Sequence, residues 1–306
     1  MTVTPTKGNR AVVFGYHSVG ARGIKVLLAR GVRIQLVVSH HDNPNENIWF
    51  ESVAALCAEH GIPTLLDPQP AELLERVRAI APDFIFSFYY RSMLPVELLA
   101  LAQRGAYNLH GSLLPKYRGR VPVNWAVLHG ETETGATLHE MTAKPDAGAI
   151  IAQTAVPILP DDTAYEVFNK LTVASEQTLW HAVPQLVAGT AARHVNDLSK
   201  GSYFGGRKPE DGQIDWHQSG QQVYNLHRAV APPYPGAYTD LHGHRFIIKQ
   251  ARLVNSPRAD LPPGLCVVDN VVFGQCGDHQ ALRIDALLCN GDTVSPMQLQ
   301  QLISLS

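Results

Sequence analysis

AVVFGYHSVGARGIKVLLARGVRIQLVVSH, residues 11–40, sets two short apolar runs on either side of a helical pattern. The first run, AVVFGY (11–16), and the second, RIQLVVSH (33–40), are rich in β-branched residues and suit buried strands. The segment between them, GARGIKVLLAR (20–30), repeats its apolar residues at helical spacing. Strand, helix and strand in so short a stretch predict a parallel pairing with the helix crossing over the sheet. The rhythm continues with a helix in WFESVAALCAEHG (49–61), a short strand IPTLL (62–66) and a helix in AELLERVRAI (71–80). DFIFSFYY (83–90) is almost unbroken in its apolarity, as expected of a strand covered on both faces. Gly15, Gly20 and Gly23 do not keep the G-x-G-x-x-G spacing of a dinucleotide fingerprint and are read as a strand-to-helix turn.

Further along, TGATLHEM (134–141) and AGAIIAQTAVPI (147–158) read as a strand pair. A long helix follows, with Asp162 or Thr163 as its cap, Glu166 completing a capping box and Gly189 ending it. From about residue 190 to 213 the texture turns to small, polar and turn-forming residues, which marks the passage to a second domain. Beyond it, HRFIIKQARLV, GLCVVDNVVFGQC and ALRIDALLC are short strand-like runs, with one helix near QQVYNLHRAV. The fold class is therefore α/β with a parallel sheet, followed by a small β-rich domain.

Composition narrows the function. The 306 residues are 45% apolar and 17% charged with a net charge of −2, ordinary for a globular enzyme and poor for gripping a phosphate backbone. Nucleic acid is disfavoured as a partner. Cys57, Cys266, Cys276 and Cys289 stand far apart, without metal or disulfide-scaffold spacing, and read as buried thiols in a reducing compartment. The polar start MTVTPTKGNR lacks a signal peptide's apolar middle, and no apolar run nears the roughly 20 residues of a membrane span. The expectation is a cytoplasmic enzyme with no membrane insertion. His40 with His41, and His242 with His244, lack a third ligand in their segments and are read as surface turns, so no metal is expected.

The chemistry concentrates in YNLHGSLLPKYRGRVPVNW, residues 107–125. On a strand, Asn108 and His110 point to one face, and Gly111 lets the chain turn just past the strand's carboxyl end, where open α/β sheets bind ligands. A carboxamide beside an imidazole suits acyl transfer, in which an oxyanion needs a fixed donor and an attacking group must lose a proton. Asp146, in KPDAGAI at the turn between the two predicted strands, is placed to orient His110. It is expected to raise the His110 pKa toward an imidazolium. Spacing alone leaves open a second reading in which these residues only cap turns.

The stretch from Asn108 to Gln153 resembles the folate-dependent formyltransferases, marked by Asn-x-His, then Ser-Leu-Leu-Pro, then Asp-x-Gly. The likeness is greatest to sugar-nucleotide N-formyltransferases, above all the formyltransferase half of a bifunctional enzyme that makes UDP-4-formamido-4-deoxy-L-arabinose for lipid A modification. It extends through AVVFGYHSVG, HDNPNENIWFESVA, FSFYYRSMLP and FGGRKPEDGQIDW and thins over the last sixty or so residues. It implies a Rossmann-like domain over residues 1–203 and a small OB-like domain over 204–306. It further implies that Asn108 stabilises the transition state, His110 moves the proton and Asp146 tunes His110. N10-formyltetrahydrofolate is the implied co-substrate, lying against Ser92, Met93 and Leu94, near Arg120, and in the loop Thr142, Ala143, Lys144, Pro145 and Asp146. For the nucleotide sugar, Arg207 and Lys208 are candidates for the diphosphate, and Trp49 and Trp216 for a nucleobase.

Three rivals share parts of this pattern. Methionyl-tRNA formyltransferases resemble it too, but they read roughly RWRGAAP where this chain has KYRGRVP, and they present a basic loop where HHDNPNEN is nearly neutral. A folate-binding module without turnover has no need of His110, and a formyltetrahydrofolate hydrolase has no need of sugar-binding segments. The bifunctional enzyme continues into a dehydrogenase half where this chain has Ser306, so the expectation includes a separate dehydrogenase partner or another sugar substrate, and a homo-oligomer is compatible with it.

Overall fold

The computed structural model describes residues 8–304 except Asn45 and Ala259. The polar stretch before Gly8, and Asn45 of the HDNPNEN loop, lie outside the described residues. Two units are interleaved along the sequence. The first comprises residues up to Pro122, Thr134–Val156 and Asn169–Phe204, and the second Val123–Glu133, Pro157–Phe168 and everything from Gly205 onward.

The first unit opens with β1 (Arg10–Gly15), α1 (His17–Ala29), β2 (Arg33–Ser39), α2 (Val53–Glu59), β3 (Thr64–Leu66), α3 (Pro70–Ile80), β4 (Phe84–Phe88), α4 (Val96–Leu99) and β5 (Gly105–His110). After the two-residue strand β6 (Arg118–Gly119) and α5 (Pro122–Leu128), which belongs to the second unit from Val123 onward, come β7 (Glu133–Glu140) and β8 (Ile150–Pro157) of the first. The sheet order is β3-β2-β1-β4-β5-β7-β8. The first five strands are parallel, and β7 runs antiparallel to β5. The expected strand pair is thus β7 and β8, added to the edge of the expected parallel sheet.

The burial pattern explains the topology. All five residues of β4 are buried, as are Val12 and Phe14 of β1 and Leu36 and Val38 of β2. Val12, Phe14, Leu36 and Val38 form one apolar cluster with Ile85 of β4 and with Leu73, Val77, Leu98 and Ala106, against which Leu94 and Met141 also pack. Each large side chain taken from water contributes about 1.5–3 kcal/mol. Gly23 sits so close to the Phe88 ring that a side chain there would strike it, so the glycines after β1 serve strand–helix packing.

From β1 the chain passes to β2 and β3 on one side and to β4 and β5 on the other. This order places the ligand-binding crevice of an open α/β sheet at the carboxyl ends of β1, β4 and β5. His17 and Tyr89, the residues two after β1 and one after β4, both adopt positive φ, 66° and 57°. Such backbone is uncommon for side-chain-bearing residues and concentrates at functional sites.

The long helix α6 (Ala164–Ala188) begins at the predicted capping box. Thr163 is its cap: the Glu166 amide donates to Thr163 Oγ1 at 3.4 Å and the Thr163 amide donates to the Glu166 carboxylate at 2.7 Å. Asp162 instead accepts from the Leu159 amide at 2.6 Å. Gly189, at φ 75°, ends the helix. The strand β9 (Tyr203–Phe204) then pairs in parallel with β6.

In the second unit, α7 (Gly220–Val230) starts at a capping box between Ser219 and Gln222. The strands β10 (Ala237–Leu241), β11 (His244–Asn255), β12 (Gly264–Val268), β13 (Val271–Gln275) and β14 (Gln280–Cys289) form an antiparallel sheet in the order β10-β11-β14-β13-β12, with β15 (Asp292–Thr293) on β14. A helix that the sequence reading omitted, α8 (Pro296–Ile303), follows. Its signals are local: Ser295 caps it, Gln298 completes the box and Pro296 occupies its first turn.

Candidate active site

Strand β5 sets Asn108 and His110 on one face, as their spacing required, with Asn108 half-buried and His110 buried. The turn between β7 and β8 supplies Asp146, held at φ 49°. His110 Nδ1 lies 3.6 Å from Asp146 Oδ1, and His110 Nε2 donates to the Tyr117 carbonyl at 2.8 Å. A carbonyl can only accept, so the proton of the neutral ring sits on Nε2 and Nδ1 faces the carboxylate.

The loop after β5 is shaped for this purpose. Ser112 Oγ donates to the Lys116 carbonyl at 2.6 Å, and the Leu114 amide donates to Thr137 Oγ1 at 3.1 Å. Gly119, at φ 97°, packs where a side chain would strike the Phe204 carbonyl, and its amide donates to Asp146 Oδ2 at 2.8 Å. The β6–β9 pairing therefore brings a backbone donor to the carboxylate.

Electrostatics overturn one expectation. Burial drives the His110 pKa below its ordinary value of 6.5; Asp146 and the Tyr117 carbonyl oppose it without prevailing. The resting ring is neutral at neutral pH, where the sequence reading expected an imidazolium. Asp146 is the charged partner. Burial alone would raise its pKa, but His110, His139 and the Gly119 amide hold it at about 2.

His139 was absent from the sequence reading. Its strand partner in the β5–β7 pairing is Asn108, and its Nε2 lies 3.2 Å from Asn108 Nδ2 and 3.5 Å from Asp146 Oδ1. No spacing along the chain signals this, because the contact depends on a cross-strand register between residues 31 apart.

The match to known families follows this geometry. Residues 10–183 match the family described as formyl transferase, and residues 207–301 match the formyl transferase C-terminal domain. The chain belongs to the formyl transferase family. Among solved structures it is similar to an N-formyltransferase from Helicobacter canadensis in complex with folinic acid and dTDP-3-aminofucose (17% identity, 90% of this chain and 98% of that one, TM-score 0.71). It is also similar to WlaRD, a sugar 3N-formyl transferase in the presence of dTDP and 5-N-formyltetrahydrofolate (17% identity, 92% and 98%, TM-score 0.70). HypX from Aquifex aeolicus in complex with tetrahydrofolic acid shares the fold at 18% identity over 95% of this chain and 46% of that one, TM-score 0.66.

The remaining candidates of this formyl transferase-family chain distribute as follows. Ser92, Met93 and Leu94 follow β4, whose Ser87 and Phe88 pair with Asn108 and Leu109; Met93 is exposed and Leu94 half-buried. Arg91, immediately before them, donates to the Glu46 carboxylate from its two terminal guanidinium nitrogens at 2.9 and 2.7 Å, and Tyr16 donates to Asp42 at 2.9 Å. The HDNPNEN loop is thereby tied to the carboxyl ends of β1 and β4. Arg120 is exposed and anchored by its amide to the Phe204 carbonyl at 3.0 Å. In the 142–146 loop, Thr142, Ala143 and Lys144 are exposed, and Thr142 Oγ1 donates to the Lys144 carbonyl at 2.9 Å.

In the second unit, the Arg207 guanidinium lies over the Trp125 ring and donates to the Asp211 carbonyl at 2.8 Å, while Lys208 is exposed with its amide on the Asp211 carboxylate. Trp216 is a packing residue: it is buried, lies against Gly274 and donates from Nε1 to Thr239 at 3.2 Å. Trp49 is half-buried, with its ring edge-on to His17. Of the four thiols, Cys57 and Cys276 are buried but Cys266 and Cys289 are half-exposed. Among the described residues no group of three or more His, Cys, Asp or Glu side chains could hold a metal ion, and no helix is long and apolar enough to cross a membrane.

Proposed function

We propose that the protein transfers the formyl group of N10-formyltetrahydrofolate to the amine of a nucleotide-linked amino sugar. The observation that carries this reading is the convergence of Asn108, His110 and Asp146 at the carboxyl end of β5 in a chain of the formyl transferase family. A sugar acceptor is supported by the similar structures, one a sugar 3N-formyl transferase and the other an N-formyltransferase in complex with dTDP-3-aminofucose. Within this class the first candidate acceptor is UDP-4-amino-4-deoxy-L-arabinose of lipid A modification, on the strength of the sequence resemblance.

In this reading the residues take the following roles, with which the geometry is compatible. The uncharged amine attacks the formyl carbon, forming the new C–N bond and a tetrahedral oxyanion. Asn108 donates to that oxyanion from its carboxamide. His110, neutral and bare at Nδ1, takes the proton released by the amine, and the imidazolium so formed faces Asp146. Returning that proton to N10 as the C–N10 bond breaks yields tetrahydrofolate and the formamide. Ser92, Met93, Leu94, Arg120 and the 142–146 loop hold the folate in this reading, with Arg207 and Lys208 assigned to the diphosphate.

The test is release of tetrahydrofolate with UDP-4-amino-4-deoxy-L-arabinose, dTDP-3-aminofucose and methionyl-tRNA offered separately. Turnover with a sugar nucleotide that disappears in His110→Ala is the expected result. Turnover with methionyl-tRNA alone overturns the sugar acceptor, and none with any of the three overturns UDP-4-amino-4-deoxy-L-arabinose as the acceptor and leaves the folate-binding module or another amino sugar.

A further inference from the structure

His139 is buried, with 2% of its side chain exposed, and touches two of the three residues of the proposed chemistry without being one of them. Its Nδ1 lies 2.8 Å from the carbonyl of Glu140, which can only accept. The ring proton therefore sits on Nδ1, and Nε2 presents a lone pair. The atom nearest that lone pair is Asn108 Nδ2 at 3.2 Å, whereas Asp146 Oδ1, at 3.5 Å, is at the limit of hydrogen-bond reach.

We infer that His139 is a positioning residue that locks the Asn108 carboxamide with its amino group turned inward. One hydrogen of Asn108 Nδ2 goes to His139 Nε2, which leaves the second for the oxyanion. Were the carboxamide turned over, its oxygen would meet the ring's lone pair and would face the developing negative charge as well. The device is built into the sheet, because Asn108 and His139 are directly opposed on neighbouring antiparallel strands. Side chains across such a pair hold each other's rotamers, so β7 supplies the orientation that β5 needs. The Glu140 carbonyl sets the tautomer, His139 reads it and Asn108 applies it.

The kinetic arm of the test rests on the formyl-transfer reading; the spectroscopic arm does not. In the wild-type protein with 15N-labelled histidine, the His139 ring is expected to show a protonated Nδ1 and a bare Nε2, and a proton on Nε2 overturns the proposal whether or not turnover is seen. Kinetically, His139→Leu is expected to lower kcat roughly 10- to 100-fold, as does loss of one oxyanion donor or its orientation, with the folate KM unchanged. His139→Gln, whose side-chain oxygen can accept from Asn108, is expected to recover most of that loss. In an Asn108→Ala background, His139→Leu should cost no more than about twofold, since residues that act through one another are not additive. An equal loss in both backgrounds would show that His139 acts apart from Asn108 and overturns the assignment. Should His139→Leu fail to fold, the tautomer and His139→Gln still decide the matter.

Discussion

Two buried histidines, one in each unit, sit in opposite electrical surroundings. His110 closes β5 and His227 lies in α7; burial pushes both below the ordinary imidazole pKa, His227 to about 4. His110 faces the Asp146 carboxylate, which pulls its pKa back up. His227 has only cations in the corresponding role, Arg252 and Arg228, which push it further down. Burial by itself makes a silent imidazole. A carboxylate opposite makes one that can take a proton during a reaction and give it back.

The strongest way to break this contrast is to remove each ring. His110→Ala is expected to lower kcat by roughly 10²- to 10⁴-fold. His227→Ala should leave turnover within about threefold and appear as a lower melting temperature, from the cavity it leaves. Equal kinetic losses in the two variants would erase the distinction.

Removing the carboxylate should be felt next, in turnover and in stability together. Asp146→Asn is expected to cost roughly 10²-fold in kcat, because the imidazolium formed at His110 loses its partner. The carboxyl has a depressed pKa, about 2 against an ordinary 3.8, so it contributes stability that is present above 3.8 and is lost as pH falls toward 2. The difference corresponds to about 2 kcal/mol at neutral pH. Urea unfolding at pH 7 and pH 2.5 should show wild type losing more stability than Asp146→Asn. A parallel decline would mean that Asp146 is not charge-stabilised in the folded protein.

A subtler outcome concerns the acid limb of kcat/KM. Because the working ring is neutral and its pKa lies below 6.5, activity should persist below pH 6.5. The groups facing that ring are Asp146 and His139, together with the Tyr117 carbonyl. Taking away Asp146 removes the influence that raises His110, so in the residual activity of Asp146→Asn the limb should move to still lower pH. A shift upward would reverse the assigned direction. The smallest effect is expected at Lys208, an exposed residue whose substitution by Ala should change stability by less than about 0.5 kcal/mol. A large rise in the sugar-nucleotide KM in the same variant would strengthen its assignment to the diphosphate.

How much of this was legible in the sequence depended on the range of the interaction. Period-two spacing placed Asn108 and His110 on one face of β5, and the box at Thr163 and Glu166 placed the start of α6, because both are settled within a few residues. The helix α8 carried an equally local signal in Ser295, Pro296 and Gln298, which the strand-rich texture around it obscured. His139 could not be read at all, since its meeting with Asn108 exists only once β7 has paired with β5 in one register. The sign of the His110 shift was hidden for a related reason: it depends on how completely the fold withdraws the ring from water, and a neighbouring Asp in the sequence says nothing of that.

The interleaving of the two units bears on any attempt to recombine this protein by cutting in the linker near Phe204. Asn124 donates to the Ala229 carbonyl at 2.7 Å, Tyr224 to Asp161 at 2.7 Å and the buried Arg228 to the Asp162 carbonyl at 3.0 Å. All six residues belong to the second unit, yet Asn124, Asp161 and Asp162 are encoded more than forty residues before the linker. A graft taken from Gly205 onward would carry the guanidinium and leave its acceptor behind. The module that must travel together is thus the second unit's three segments, and a chimera exchanging the carboxyl-terminal part must bring the two upstream segments with it.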